Sequence, residues 1–248
     1  EFNLYVRCQD ARGNKNMKDY VINFCIKPGI DKTPPIIQKK LPATEYVKFG
    51  AINQTVNVYT NEPAECRWSN VSTDRYEDMK NNMVCDNKIS EATMFGWRCK
   101  DDLPVIQDVT NHYIRCLDQP WFIKPEEQVK RNANQESYLV TIRKTLTRLS
   151  ISRAAPDNVT IQTGITPMII DLTAETEGGI DGTADCSYSI DKGANYRSFG
   201  ETFARTHKNT FNQMVSGNYE WKIKCFDLAG NDAEKTVNFT IDLDRTAP

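Results

Sequence analysis

Apolar and polar residues alternate with a period of two along several short stretches of this chain. Tyr219, Trp221, Ile223 and Cys225 fall on one side, and Glu220, Lys222 and Lys224 on the other, which predicts a half-buried β-strand. The residues that follow, Asp227-Leu228-Ala229-Gly230-Asn231-Asp232, carry the Gly and Asn of a tight reversal. Val237, Phe239 and Ile241 then alternate inward, so the segment predicts a hairpin. Comparable short strands recur between Gly, Asn and Asp clusters with no sustained helical period. The pattern therefore predicts an all-β fold built of β-sandwiches.

The pattern also repeats. Tyr5-Val6-Arg7-Cys8-Gln9-Asp10 returns as Tyr113-Ile114-Arg115-Cys116-Leu117-Asp118 and as Lys222-Ile223-Lys224-Cys225-Phe226-Asp227, at near-equal intervals. Ala64-Glu65-Cys66-Arg67-Trp68-Ser69 returns as Ala184-Asp185-Cys186-Ser187-Tyr188-Ser189. Asp31-Lys32-Thr33-Pro34-Pro35 is matched with Ser152-Arg153-Ala154-Ala155-Pro156 and with Asp244-Arg245-Thr246-Ala247-Pro248. Three motifs in one order predict the C-terminal strands of a truncated unit over residues 1–34, a complete unit over 35–155 and another over 156–248.

The eight cysteines extend this reading. If the A-x-C-x-[WY]-S and [VI]-[RK]-C-x-D strands face each other from opposite sheets, Cys66 meets Cys116 and Cys186 meets Cys225 across the core. Cys85 and Cys99 lie between the strands of the middle unit and are expected to pair with each other. The competing reading, a zinc site of Cys66, Cys85, Cys99 and Cys116, lacks any C-x-x-C knuckle. Cys8 stands at the second-cysteine position of its unit, whose first cysteine would lie upstream of Glu1. Leu4, Val6 and Cys8 share an inward face, whereas Cys25 points away from the face of Ile22, Phe24 and Ile26. A Cys8–Cys25 bond would need a slipped register or a bulge, and that pairing is left open.

Composition narrows the class. The 248 residues are 39% apolar and 26% charged with a formal charge of −2, a globular balance with no electrostatic footprint for nucleic acid. No apolar run is long enough for a membrane-spanning helix, so no membrane insertion by this segment is expected. Cysteines without metal-type spacing predict an oxidising compartment. Sequons at Asn53, Asn70, Asn158 and Asn238 agree with an extracellular, glycosylated surface.

Together, the A-x-C-x-[WY]-S strand, the C-x-D-x-x-G-N hairpin of Cys225–Asn231 and the D-x-T-A-P linker of Asp244–Pro248 resemble the tandem immunoglobulin-like repeats of large prokaryotic, particularly archaeal, cell-surface proteins. The resemblance covers nearly the whole chain and is best over residues 165–248. It implies export and a parent protein with many such units in series. The middle unit departs from it, because Gln119-Pro120-Trp121-Phe122 replaces the Gly-Asn turn and its hairpin is enlarged.

Candidate chemistry is sparse. The two histidines, His112 and His207, lie in different units and read as surface or edge-strand residues. No nucleophile-elbow, zincin, Walker or dinucleotide motif occurs, so no catalytic residue, metal ligand set or cofactor is assigned. Asp10, Asp227, Asp232, Asp242 and Asp244 could offer oxygen ligands to Ca²⁺ at turns or linkers, although Asp in a turn is as well explained by hydrogen bonds to its own backbone. Trp97 and Arg98, beside Cys99, and Trp121 and Phe122, in the enlarged hairpin, are candidates for binding a surface glycan or host protein. The bland reading is that they pack as a satellite core. The expected function is a non-catalytic structural or adhesive module of a stalk, surface layer or filament, partnered by other copies or neighbouring modules. The alternatives are an adhesin that uses the middle unit's loops and an accessory region of a secreted hydrolase.

Overall fold

The computed structural model describes residues 2–24, 29–165 and 167–243. The chain begins with a two-stranded antiparallel sheet of β1 (Phe2–Val6) and β2 (Tyr20–Phe24). Nine strands follow: β3 (Ile37–Leu41), β4 (Tyr46–Val47), β5 (Asn53–Thr60), β6 (Ala64–Ser69), β7 (Asn81–Asn82), β8 (Val84–Cys85), β9 (Trp97–Pro104), β10 (Val109–Asp118) and β11 (Tyr138–Lys144). They form one sheet in the order β3-β5-β9-β8 and a second in the order β4-β11-β10-β6-β7. The last eight are β12 (Ser150–Ala155), β13 (Val159–Thr163), β14 (Met168–Glu177), β15 (Asp185–Ser189), β16 (Arg197–Ser198), β17 (Thr206–Met214), β18 (Gly217–Phe226) and β19 (Asp232–Leu243). Their sheets run β12-β14-β17 and β13-β19-β18-β15-β16, the same order without the fourth strand of the first sheet.

Each sandwich encloses its own core. Val56, Val58, Leu103, Ile114, Val140 and Ile142 fill the middle one, and Leu172, Trp221, Ile223, Val237, Phe239 and Ile241 fill the last. The period-two pattern generates these cores directly, since alternate residues of a pleated strand point to opposite faces. Along β18, Trp221, Ile223 and Cys225 are buried while Glu220 is exposed. In both sandwiches the opening strand is followed by a short one that crosses to the other sheet: β4 pairs parallel with β11, and β13 with β19. Strand order and antiparallel packing make these immunoglobulin-like β-sandwiches in tandem.

Two sequence expectations need correction. First, residues 150–155 do not belong to the middle unit. β12 pairs with β14 from Ser150↔Glu177 to Ala155↔Thr173, and Leu149 and Ala154 join the last core. Ala155-Pro156 follows an opening strand, so its counterpart is Leu41-Pro42 at the end of β3 and not Pro34-Pro35. The connection between the sandwiches is therefore 145–149.

Second, the disulfides do not cross the core between sheets. Cys66–Cys116 and Cys186–Cys225 each join directly opposed residues of neighbouring strands in one sheet, with Cα atoms 4.0 and 4.1 Å apart. Cys85–Cys99 does the same between β8 and β9. The backbone explains the fit. Cys116 turns its N–H and C=O toward Asn134, and Cys66 gives its C=O to the Met83 N–H, so the two cysteines form a close, non-hydrogen-bonded pair. Cys8 is exposed and has no disulfide partner among the described residues. Its proposed partner Cys25 lies outside the described residues.

Chain-entropy arguments value the crosslinks that span 50 and 39 residues at about 4 kcal/mol each, and the one that spans 14 at about 3 kcal/mol. The double variant Cys186→Ala/Cys225→Ala should therefore lower the unfolding free energy of the last sandwich by about 4 kcal/mol, measured by denaturant titration, and leave the middle transition in place.

Candidate functional site

The feature repeated most faithfully is the end of the central hairpin. In the last sandwich Asp227 Oδ1 accepts the N–H groups of Ala229 (2.9 Å) and Asn231 (2.8 Å), while Asn231 Nδ2 donates to Asp227 Oδ2 (2.7 Å). Asp10 and Asn14 reproduce this turn in the first sheet, with Asp10 Oδ1 accepting from Arg12 and Asn14 N–H at 2.9 Å and Asn14 Nδ2 donating at 2.8 Å. Gly13 and Gly230 occupy the left-handed region at φ 88° and 81°, which side chains disfavour.

The middle hairpin keeps the same closure around an insertion. Asn132 donates its N–H to Asp118 Oδ1 at 2.6 Å and its Nδ2 to Oδ2 at 2.7 Å. The residues between form a loop with a short 3-10 helix over Pro125–Lys130, and the Arg131 guanidinium bridges back to the Asp118 carbonyl (2.7 Å) and to Glu65 (2.9 Å). The lost Gly-Asn turn is thus an Asp–Asn turn opened by insertion.

These turns grip the chain that enters each sandwich. Asn231, 2% exposed, accepts the Phe49 N–H through Oδ1 at 2.6 Å and donates through Nδ2 to Thr145 Oγ1 at 3.3 Å, both on the preceding sandwich or its exit. Lys48 pairs with Asp232, and the Arg148 guanidinium lies 5.5 Å from the Phe49 ring centre. Gly179 N–H donates to the Thr147 carbonyl at 3.2 Å. A Cβ on Gly178 would stand 1.9 Å from the Arg148 carbonyl oxygen, so only glycine permits this approach. At the entry to the middle sandwich Asn132 Nδ2 donates to the Asp31 carbonyl (3.2 Å), and Asn134 Nδ2 to that of Pro35. Sequence reading saw the turn motif but not this second role, because the partners are distant in sequence and carry no pattern of their own.

The predicted binding residues are divided by the structure. β9 starts opposite Thr60 and β10 ends opposite Ala64, so the Trp97 and Trp121 loops flank the same β5–β6 turn. Trp97 is half-buried and donates its indole N–H to the Lys88 carbonyl at 3.3 Å; Arg98 pairs with Asp86 at 3.1 Å. Both hold the neighbouring loop. Trp121 is 58% exposed and packs edge-on against Phe122, whose ring lies 5.3 Å from Lys130 Nζ. Only the second pair presents an aromatic surface to solvent.

The histidines overturn the surface reading. His112 and His207 are 0% and 1% exposed. His112 accepts the Asn70 Nδ2 amide through Nδ1 (3.1 Å), donates through Nε2 to the Pro104 carbonyl (2.9 Å), and sits edge-on to Trp68. His207 Nε2 donates to the Ala204 carbonyl at 3.1 Å, and its Nδ1 has no partner among the described residues. Each follows an outward residue on a strand whose alternation turns it inward, which a polar sequence neighbourhood concealed.

The turn carboxylates Asp10 and Asp227 spend their oxygens on backbone and amide groups, as the hydrogen-bond reading of these residues requires. Asp232 pairs with Lys48, Asp242 is exposed, and Asp244 lies outside the described residues. A different acidic group forms at the middle sandwich's entry, where carboxylate oxygens of Asp31, Glu62 and Asp118 lie within 4.8 Å of one another. Burial, reinforced by Asp31 and Asp118, raises the Glu62 carboxyl above its ordinary range. All four sequon asparagines, Asn53, Asn70, Asn158 and Asn238, are exposed, and Asn70 also donates its Nδ2 to the Asn111 carbonyl at 2.8 Å.

No family model and no curated protein matches the chain. Similar solved structures include the fibronectin(III)-like modules of Clostridium thermocellum CbhA, 11% identical over 86% of this chain and 97% of theirs, with a TM-score of 0.47. The tandem Ig repeats of Dlar are 10% identical over 85% of this chain and 99% of theirs, with a TM-score of 0.28. Domains 4 and 5 of the S-layer protein SbsC are 11% identical over 57% of this chain and 69% of theirs, again at 0.28. Likenesses this distant carry no functional argument.

Two outcomes follow from the local geometry. Trp97→Ala should destabilise the middle sandwich by on the order of 1–2 kcal/mol, whereas Trp121→Ala should stay within about 0.5 kcal/mol, both read by thermal or denaturant unfolding. Burial also lowers the pKa of both histidines below 6.5. The unfolded chain then binds more protons than the folded one below that pH, so stability is full above it and falls as the pH drops toward the folded values. Unfolding free energies should therefore decline as the pH falls below about 6.5, with the imidazole signals of the folded chain titrating late in NMR.

Proposed function

We propose that this chain is a non-catalytic structural segment of an extracellular surface protein, in which immunoglobulin-like units act as links held at a fixed mutual orientation. The observation that carries this reading is the joint at Asn231. A buried side-chain amide that bonds both the Phe49 N–H and Thr145 leaves little freedom to swing, because a broken joint strands polar groups away from water. The ion pair of Lys48 and Asp232 and the close approach at Gly178 reinforce it. Crosslinked sheets and an oxidising compartment suit a module exposed to proteolysis. The partners that fit such a joint are neighbouring units of the same kind, in a stalk, lattice or filament.

Small-angle scattering tests this. The native chain should fit one orientation of the two sandwiches, and Asn231→Ala should broaden the distribution while both sandwiches stay folded by their separate unfolding transitions. A native profile as broad as the variant's would sink the reading.

A second reading, a binding module for glycan or protein, rests on the exposed Trp121–Phe122 pair with Lys130 beside it. Glycan-array binding that Trp121→Ala removes without loss of fold would favour it.

A further inference from the structure

The outer face of the middle sandwich's second sheet carries a charged cleft that the joint between sandwiches does not use. Along β6 the buried Cys66 and Trp68 alternate with outward-facing Glu65 and Arg67, and along β10 the buried Cys116 alternates with Arg115 and Leu117. The register sets Arg67 directly opposite Arg115, and Glu65 opposite Leu117. Like charges so placed repel, and neither guanidinium has a carboxylate partner among the described residues. Arg115 donates to Ser137 Oγ at 2.8 Å and to the Asn134 carbonyl at 3.4 Å, both uncharged. Arg67 lies over the Tyr76 ring, 4.6 Å from its centre, and its buried Nε has no acceptor among the described residues. A buried donor left unpaired costs free energy. Stacking on the ring therefore holds this guanidinium where no acceptor does, and its terminal Nη groups are left for a ligand.

Two loops raise walls around this floor and enclose about 560 Å³, within the roughly 300–1,000 Å³ of small-molecule clefts. Tyr76, 5% exposed, and Glu77 stand on one side; Arg131, Ala133 and Gln135, at the exit of the enlarged hairpin, stand on the other. Glu65 already neutralises Arg131 at 2.9 Å. Burial raises the pKa of the Tyr76 phenol, and the charges of Arg67, Glu65, Arg131 and Glu77 all act on that ring. With Arg115 beside them, three guanidiniums meet two carboxylates, which leaves one positive charge to be matched. Glu65 and Glu77 repel a polyanion, so the complement is a single carboxylate. Glu77 accepts hydrogen bonds and donates none, so the ligand must bring donors beside that carboxylate. A peptide's acidic side chain carries no such donor, whereas the hydroxyls of a sugar acid do. Leu117 and Ala133 add an apolar patch for the C–H face of a sugar ring.

We propose that this cleft binds a uronate residue of an acidic saccharide, with the Arg67 Nη groups on its carboxylate and Glu77 and Gln135 on its ring hydroxyls. A guanidinium meets a carboxylate through two parallel bonds, which an ammonium cannot reproduce. The Tyr76 ring presets the orientation of Arg67, so little side-chain freedom is lost on binding. The proposal goes beyond the reading of these units as links and does not depend on it. Neither Asn231 nor the Trp121–Phe122 pair lines the cleft.

The probe is a disaccharide of glucuronate and a neutral hexose, offered to the whole chain. Its controls are the same disaccharide with glucose in place of glucuronate, and acetyl-glutamate amide. Calorimetric titration should give both controls dissociation constants about tenfold higher or more. Arg67→Gln should weaken glucuronate binding about tenfold while the middle sandwich keeps its unfolding transition, and Arg67→Lys should recover only part of the loss. On the native chain, phenylglyoxal labelling of Arg67, mapped by mass, should be slowed by the glucuronate disaccharide and not by the neutral one. That measurement needs no variant and holds even where a substitution prevents folding. Equal affinity for the neutral disaccharide, binding of acetyl-glutamate amide as tight as that of glucuronate, or unchanged labelling of Arg67 would each overturn the proposal.

Discussion

A carboxylate that accepts backbone N–H groups at the end of the central hairpin organises every unit of this chain. Asp10, Asp118 and Asp227 each close a strand pair by bonding an asparagine whose own amide returns the contact. A turn closed in this way fixes the register of the two strands, and register decides which residues face inward. From that follow the alignment of Ile114 and Ile223 with the cores and the placing of Cys116 and Cys225 opposite their partners. The disulfides lock a geometry that the hairpin has already set.

The same turn explains how the units are joined. Its asparagine has hydrogen-bonding capacity beyond the aspartate, and the incoming chain uses it: Phe49 and Thr145 at Asn231, and Asp31 at Asn132. One local motif therefore terminates a hairpin and seats a neighbour. Because the closing pair bears on both, the middle unit can carry an insertion between Asp118 and Asn132 without loss of either role, since the inserted residues fold back on their own contacts through Gln128 and Arg131. Surface insertions cost little when the ends they connect are held.

Polar residues inside the sandwiches follow the same logic of satisfaction. His112 is tolerated in the core because Asn70 and the Pro104 carbonyl complete its hydrogen bonds. The Trp68 indole reaches Asp101 on the facing sheet at 2.7 Å and ties the layers together where apolar packing alone would not fix their offset. Asn70, a sequon by its neighbours, is thereby occupied as a structural donor.

The all-β class, the repeat and the partner of each cysteine in the two sandwiches were legible in the amino-acid order, because period-two burial and turn chemistry are local and the repeat exposes them more than once. The strand over Tyr219–Cys225 and its return through Val237, Phe239 and Ile241 were readable residue by residue. Tertiary structure alone decided three things. It put the paired cysteines in one sheet, since alternation shows which face a residue takes but not which strand lies beside it. It assigned Ser150–Ala155 to the last sandwich, since an opening strand is identified by what it pairs with. And it buried His112 and His207 and joined Asn231 to Phe49, since a polar side chain's partners come from residues far away in sequence.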